Sequence, residues 1–227
     1  MSILIVFGFL AAGLFAVLMF GFLLPLRRSK KLERKAREMG FAFVELAKPF
    51  EGTNVQGLFV LEDGSATFVD NLLERNIGDC RCLIFDVPLV DDSANLVTTM
   101  AAFRLPCLHL PVFQVGGKNA IERMVERAEQ AMGKKVIEFS ADREFAKHFS
   151  IRCSDQGEVR AFLTPAKVAF LRDHAAHYRV ESSPDWLFIY RPGVKVETTH
   201  LQEFADVTSA IASAMLSVQA TPFPATA

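Results

Sequence analysis

Polar and apolar positions divide this chain into an apolar head, a basic connector and a long patterned remainder. From Ile3 to Leu26 there is no charged residue, and the run ends in Arg27-Arg28-Ser29-Lys30-Lys31. At ~1.5 Å rise per residue such a run can cross the ~30 Å hydrocarbon core of a bilayer. The pattern therefore predicts a transmembrane helix over 3–26. A cleaved secretory signal fits poorly: Met1-Ser2 supplies no basic n-region, and the run leads into arginines with no small-residue cleavage site. A buried core helix of this length with no polar face is also a poor fit.

The connector reads as a basic juxtamembrane helix over 27–39. Lys31 to Met39 is rich in good helix formers, and Gly40 ends it. Beyond it, Phe41 to Leu46 alternates as a strand, and residues 50–57 form a loop around Gly52 and Asn54. Strands are expected at Leu58–Leu61, Ala66–Leu72, Cys80–Leu89, Leu96–Arg104 and Pro111–Val115. Turns separate them at Glu62-Asp63-Gly64, Asn76-Ile77-Gly78-Asp79 and Asp91-Asp92-Ser93. That spacing is the signature of an antiparallel meander.

Helical patterns dominate the later half. Asn119 with Glu122 forms a capping box for Ala120–Met132, closed by Gly133. Lys135–Phe139 is a strand candidate, and Glu144–Phe149 is a helical turn running into the strand Ser150–Cys153. Thr164-Pro165 opens a helix reaching about Ala176. Tyr178–Glu181 and Trp186–Tyr190 are strands joined by Ser182–Asp185, with a turn at Arg191-Pro192-Gly193. In the last helix Leu201, Phe204, Thr208, Ile211 and Met215 recur at spacings of three and four. The fold expected is α+β: one transmembrane helix, then a domain of antiparallel strands with three to four helices over 40–217, a sub-boundary near 116–118, and a disordered tail over 218–227.

Charge sets the orientation. Residues 27–38 hold seven basic residues and two acids, leaving 18 basic and 24 acidic residues in 39–227, a net charge of −6 there. Basic residues beside a span stay on the cytoplasmic side. This predicts a single-pass protein of the bacterial inner membrane, N-terminus out, with its domain in the cytoplasm. Arg27, Arg28, Lys30, Lys31, Arg34 and Lys35 are the expected contacts to anionic head groups, each contributing about 1 kcal/mol. An acidic domain excludes nucleic acid, which requires a basic footprint. Gly8, Ala12 and Ala16 lie four apart and would let two spans approach closely, a route to a homodimer through the membrane.

Candidate chemistry is sparse. Four cysteines in a cytoplasmic chain are expected as reduced thiols. Cys80 and Cys82 share one face of a strand, and Cys107 with His109 repeats that spacing, which together would make a Cys₃His metal set. The C-x-C spacing argues against it, because structural zinc sites use C-x₂₋₄-C knuckles, and buried apolar packing is the better reading. His174 and His177 share a face at the end of the Pro165 helix, where they suit the helix dipole. Gly116-Gly117-Lys118 lacks the spacing of a phosphate-binding loop and reads as an ordinary turn into a capped helix. No nucleophile-elbow, zinc-protease or dinucleotide motif is present, and no cofactor is expected.

Phe145, Phe149 and Ile151, then Ser154-Asp155, Leu163-Thr164-Pro165, and Leu187, Ile189 and Tyr190 follow a recognisable order. In this order the chain resembles a family of bacterial membrane-anchored proteins of unknown function. The resemblance implies the layout of anchor, basic flank and domain, and no activity. The sequence thus points to a membrane-anchored module that binds or scaffolds a protein partner. A membrane-tethered enzyme or a small-ligand sensor is the alternative.

Overall fold

The computed structural model describes residues 24–44, 69–91, 94–104, 109–118 and 143–216. The expected span up to residue 23, the loop and strand over 50–61, the helix over 120–132, the strand over 135–139 and the tail lie outside them. Among the described residues no helix is long and apolar enough to cross a membrane.

Eight strands form one sheet: β1 (Ala42–Val44), β2 (Asp70–Ile77), β3 (Cys80–Asp91), β4 (Ala94–Arg104), β5 (Phe113–Gly117), β6 (Phe149–Cys153), β7 (Arg179–Ser183) and β8 (Trp186–Tyr190). The order is β1-β2-β3-β4-β8-β7-β5-β6, and every pairing is antiparallel. Of the meander expected over 58–115, β2, β3 and β4 are consecutive antiparallel neighbours, and its first strand lies outside the described residues. β5, expected as its last strand, pairs instead with β6 and β7. The meander joins the later half through β4 and β8, with Ala102 opposite Phe188. Among the described residues five α-helices accompany the sheet: α1 (Leu24–Glu38), α2 (Arg143–His148), α3 (Gln156–Phe162), α4 (Pro165–His174) and α5 (Leu201–Leu216).

Period-two burial gives the sheet two different faces. On one, Leu73, Cys82, Ile84, Phe103, Val115, Val180, Leu187 and Ile189 pack with apolar side chains of all five helices. On the other, Leu83, Phe85, Met100, Trp186, Phe188 and Tyr190 form a second core that includes no helical residue among those described.

Helix α1 is built into the first core. Leu32, Ala36 and Met39, at spacings of four and three, are 2%, 0% and 6% exposed. Its end is a Schellman motif: Gly40 sits at φ +73°, its N–H donates to Arg37 O, and Phe41 N–H donates to Ala36 O at 2.8 Å. That geometry turns the chain directly into β1, a three-residue edge strand.

Several sequence expectations shift. The strand expected at Ala66–Leu72 is Asp70–Ile77, with the turn tightened to Gly78-Asp79. Gly78 takes φ +57°, which glycine adopts without strain. Ser182 and Ser183 belong to β7 rather than to a turn: Ser182 is 1% exposed and its hydroxyl accepts from Phe113 N–H at 3.2 Å. Gly116 and Gly117, expected as a turn and sub-boundary, are the last residues of β5, paired to β6, with Gly116 also paired to β7. They are small because neighbours press on them. A Cβ on Gly117 would stand 2.3 Å from Ala176 O, and one on Gly116 would stand 2.8 Å from Arg179 Cγ.

Candidate functional site

Two polar arrangements stand out. The first locks α1 to the sheet. Asp86, 3% exposed, lies on β3 opposite Thr99 of β4. Its Oδ1 accepts from Thr99 Oγ1 at 2.6 Å, and its Oδ2 accepts from Asn71 Nδ2 at 3.0 Å and from Arg28 Nη2 at 3.1 Å. Asn71 reaches inward because β2 carries a bulge between Asp70 and Leu73, with Asn71 itself at φ +54°. Ser29 donates to Asn71 Oδ1 at 3.2 Å, and Arg28 also donates to Val196 O at 3.0 Å. Arg28, grouped by sequence with the head-group contacts, therefore points into the domain. Lys30, Lys31 and Arg34 are exposed and Lys35 is half-buried. The side chain of Arg27 lies outside the described set.

The second is a cleft at the open end of the β7–β8 hairpin, with a volume of about 700 Å³. Lys118, Arg172, Arg179 and Arg191 line it, together with His148 and His177. Their positions follow from topology. Arg179 begins β7 and Tyr190 ends β8 as register partners, so Arg191 is the next residue out. β5 lies beside β7 and ends in Gly117, which delivers Lys118 to the same end of the sheet. Arg172 arrives on the last turn of α4.

Neighbouring groups hold these cations in place. Lys118 N–H donates to His148 O at 2.7 Å, and its Nζ donates to Ala146 O at 2.9 Å. The Arg191 guanidinium stands 5.7 Å from the centroid of the Tyr178 ring, a cation–π distance. Arg191 Nε is buried and finds no acceptor among the described residues. Burial pushes the Tyr178 hydroxyl above its ordinary pKa, against the pull of Arg191, so it stays a neutral donor at physiological pH. Acids stand next to the lining residues: Asp173 accepts from Arg172 Nε at 2.9 Å, Glu144 is 3.9 Å from His148 Nε2, and Glu203 is near enough to Tyr178 to push its hydroxyl further up. No cleft-lining residue among those described is acidic.

A single loop connects the two arrangements. Arg191, Pro192 and Val194 line the cleft, while Val196 N–H donates to Thr99 Oγ1 at 2.9 Å beside Asp86. Gly193 N–H donates to Thr98 Oγ1 at 2.9 Å, and Thr99 N–H donates to Val194 O at 3.0 Å.

On the second core face Glu181 is fully buried and accepts from Gln114 Nε2 and the Tyr190 hydroxyl. Cys80 and Cys153 are half-buried and Cys82 is buried. Cys82 is 1% exposed, and burial, reinforced by Cys80, pushes its thiol up to about 12. A thiol this hard to ionise is a poor ligand and a poor nucleophile. His109 is exposed, and Cys107 lies outside the described residues. Among the described residues no group of three or more His, Cys, Asp or Glu could hold a metal ion. The sequence singles out Lys118 and His177 separately and does not foresee that they line one cleft. It passes over Arg172, Arg179 and Arg191.

No family model matches the sequence, and no curated protein matches it. Among solved structures, the fold is similar to that of the mycobacterial trehalose monomycolate transport factor A, TtfA. The TM-score is 0.57 at 12% identity, over 87% of this chain and 98% of the TtfA chain. The likeness establishes a shared mixed α+β fold.

Proposed function

We propose that the chain is a non-catalytic binding or scaffolding module tethered to the bacterial inner membrane, N-terminus out, with its domain in the cytoplasm. One observation carries the reading. The helix α1 overlaps the end of the apolar run at Leu24–Leu26 and continues without a break into the first core through Leu32, Ala36 and Met39. With Arg28 bonded to Asp86, a span ending there would hold the domain on a stiff stalk in a fixed attitude to the bilayer. Such rigidity suits a module that presents a surface to a membrane partner. Lys30, Lys31 and Arg34, exposed on that stalk, would face anionic head groups.

TtfA is a trehalose monomycolate transport factor, and its likeness in fold supports placing this module among components that serve lipid transport. The small-ligand sensor is the second reading, and the basic cleft favours it.

Paired reporters fused after Ala227 test the tether. One active only in the periplasm should be silent, and one active only in the cytoplasm should work. Changing Arg27, Arg28, Lys30, Lys31, Arg34, Lys35 and Arg37 to Gln should scramble that orientation. A periplasmic signal from the unaltered chain would overturn the reading. The role itself is tested by cross-linking the detergent-solubilised chain, with an inner-membrane lipid transporter the expected partner.

A further inference from the structure

We propose that residues 191–197 form a strap that couples the position of α1 to the shape of the cleft: α1 holds the strap seated, and displacing α1 releases the cleft rim. The inference goes beyond the tether reading, because every group it uses lies within the described domain. Arg191, Pro192 and Val194 supply part of the cleft wall. Residues 192–195 and Glu197 are exposed, whereas Val196 between them is 2% exposed. Its side chain joins the first core, where Leu32 and Ala36 of α1 also pack. The strap is thus held by one apolar anchor and a few hydrogen bonds. Such a segment opens locally before the sheet beneath it does.

The bonds at Val196 run in order. Arg28 donates to Asp86 Oδ2 at 3.1 Å and to Val196 O at 3.0 Å. Thr99 has one hydroxyl proton and gives it to Asp86 Oδ1 at 2.6 Å. The hydroxyl oxygen is left to accept, and it takes Val196 N–H at 2.9 Å. Both backbone polar groups of Val196 therefore depend on the Arg28–Asp86 pair, the carbonyl directly and the N–H through Thr99. Bonds chained in this way strengthen one another. The other two bonds between strap and sheet, Gly193 N–H to Thr98 Oγ1 and Thr99 N–H to Val194 O, come from β4 alone. Helix α1 also lies against the 3₁₀ turn Thr198–His200 that follows the strap. Moving α1 away withdraws the Arg28 bond from Val196 O and leaves Asp86 without its counter-charge. Seated and released strap are the two states that α1 biases.

Hydrogen exchange read by mass spectrometry on the full chain in detergent tests the coupling. Arg28→Gln should speed exchange over 191–197 by about 10-fold or more, the loss of one charge-assisted hydrogen bond. Exchange over 201–216, in α5, should be unchanged. Trypsin gives a second readout: cleavage after Lys195 requires the buried Val196 to come out, so it should accelerate by a similar factor. Lys31→Gln, exposed on α1, should change neither. Thr99→Val leaves Arg28 and Asp86 in place and removes the hydroxyl between them and Val196. Coupling is reciprocal, so loosening the strap in this way should speed exchange over 28–36 of α1. That variant decides the matter if Arg28→Gln fails to fold. Exchange over 191–197 that is unchanged in Arg28→Gln, or that rises equally over α5, would overturn the proposal. So would a Thr99→Val chain whose α1 exchanges as before.

Discussion

Arg28 and Asp86, 58 residues apart in sequence, meet with Nη2 3.1 Å from Oδ2, so the first turns of the basic helix are bonded to the third strand. The pair is sheltered: the Arg28 side chain is 17% exposed and that of Asp86 5%. Removing one partner of such a pair leaves a charge buried without its counter-charge, at a cost of about 3–5 kcal/mol when burial is complete. Residual access at Arg28 places Asp86→Ala near the low end, about 3 kcal/mol. Thermal melts of the detergent-solubilised chain would register the loss. Asp86→Asn, which keeps the shape, should cost less. A change no larger than that of a surface control such as Glu38→Ala would mean that the pair does not lock the helix to the sheet.

Phe204 is 2% exposed on α5, and its ring centroid lies 6.4 Å from that of Tyr178. The helix packs on the sheet through the stripe read in the sequence, with Leu201, Thr208, Ile211 and Met215 also buried. Phe204→Ala should cost about 3–5 kcal/mol, while the exposed Glu203→Ala should stay within about 0.5 kcal/mol. If instead Phe204→Ala melts like the unaltered chain and loses a partner, the stripe is a binding face.

What the sequence makes legible follows from where the physics is local. Strands β3 and β4 and helix α5 have their period written in their own residues, so their faces and bounds are accessible. Helix α3 escapes a periodicity reading because it is only seven residues long with one buried side chain, Val159, and so has no stripe. Its signal is the capping pair: Asp155 accepts from Glu158 N–H at 2.9 Å. Gly116-Gly117 reads as a turn because glycine marks turns by conformation, whereas here it answers pressure from Ala176 and Arg179, which no local window contains. The cleft is hidden for the same reason: β5 is inserted beside β7, bringing residue 118 next to residues 172, 179 and 191. One trace of it is local, since Arg179 and Arg191 bracket the two strands of a hairpin and must share its open end.

Gly117 offers a direct check of that crowding. Its added Cβ would meet a backbone oxygen, Ala176 O, at 2.3 Å, and a backbone atom cannot swing aside. Gly116→Ala meets a side-chain carbon at 2.8 Å, which yields more easily. Gly117→Ala should therefore cost about 2–3 kcal/mol and Gly116→Ala about 1 kcal/mol, within the range for overpacked sites. Urea unfolding would rank them. Equal costs, or a neutral Gly117→Ala, would show that the 175–178 loop relaxes away from β5.

Alkaline stability is the last test, and it reports on the packed cysteine. Burial pushes the Cys82 thiol from the ordinary 9.0 up to about 12, and burial with Glu181 beside it pushes Tyr190 well above its ordinary range. Both groups are neutral in the folded chain where the unfolded chain would ionise. Because each folded value lies above the unfolded one, their contribution is complete below the unfolded pKa and declines as pH rises toward the folded one. For Cys82 the window runs from 9.0 to about 12. Within it the slope approaches 1.4 kcal/mol per pH unit, roughly one proton's worth. Cys82→Ala deletes this contribution, so its stability should fall less steeply above about pH 9 than that of the unaltered chain. It should start lower near neutrality, because the vacated volume costs about 1 kcal/mol. Cys153→Ala, at a half-buried site, should retain nearly the full alkaline slope. Parallel curves for the unaltered chain and Cys82→Ala would mean that the thiol ionises in place, and that the first core admits water at β3.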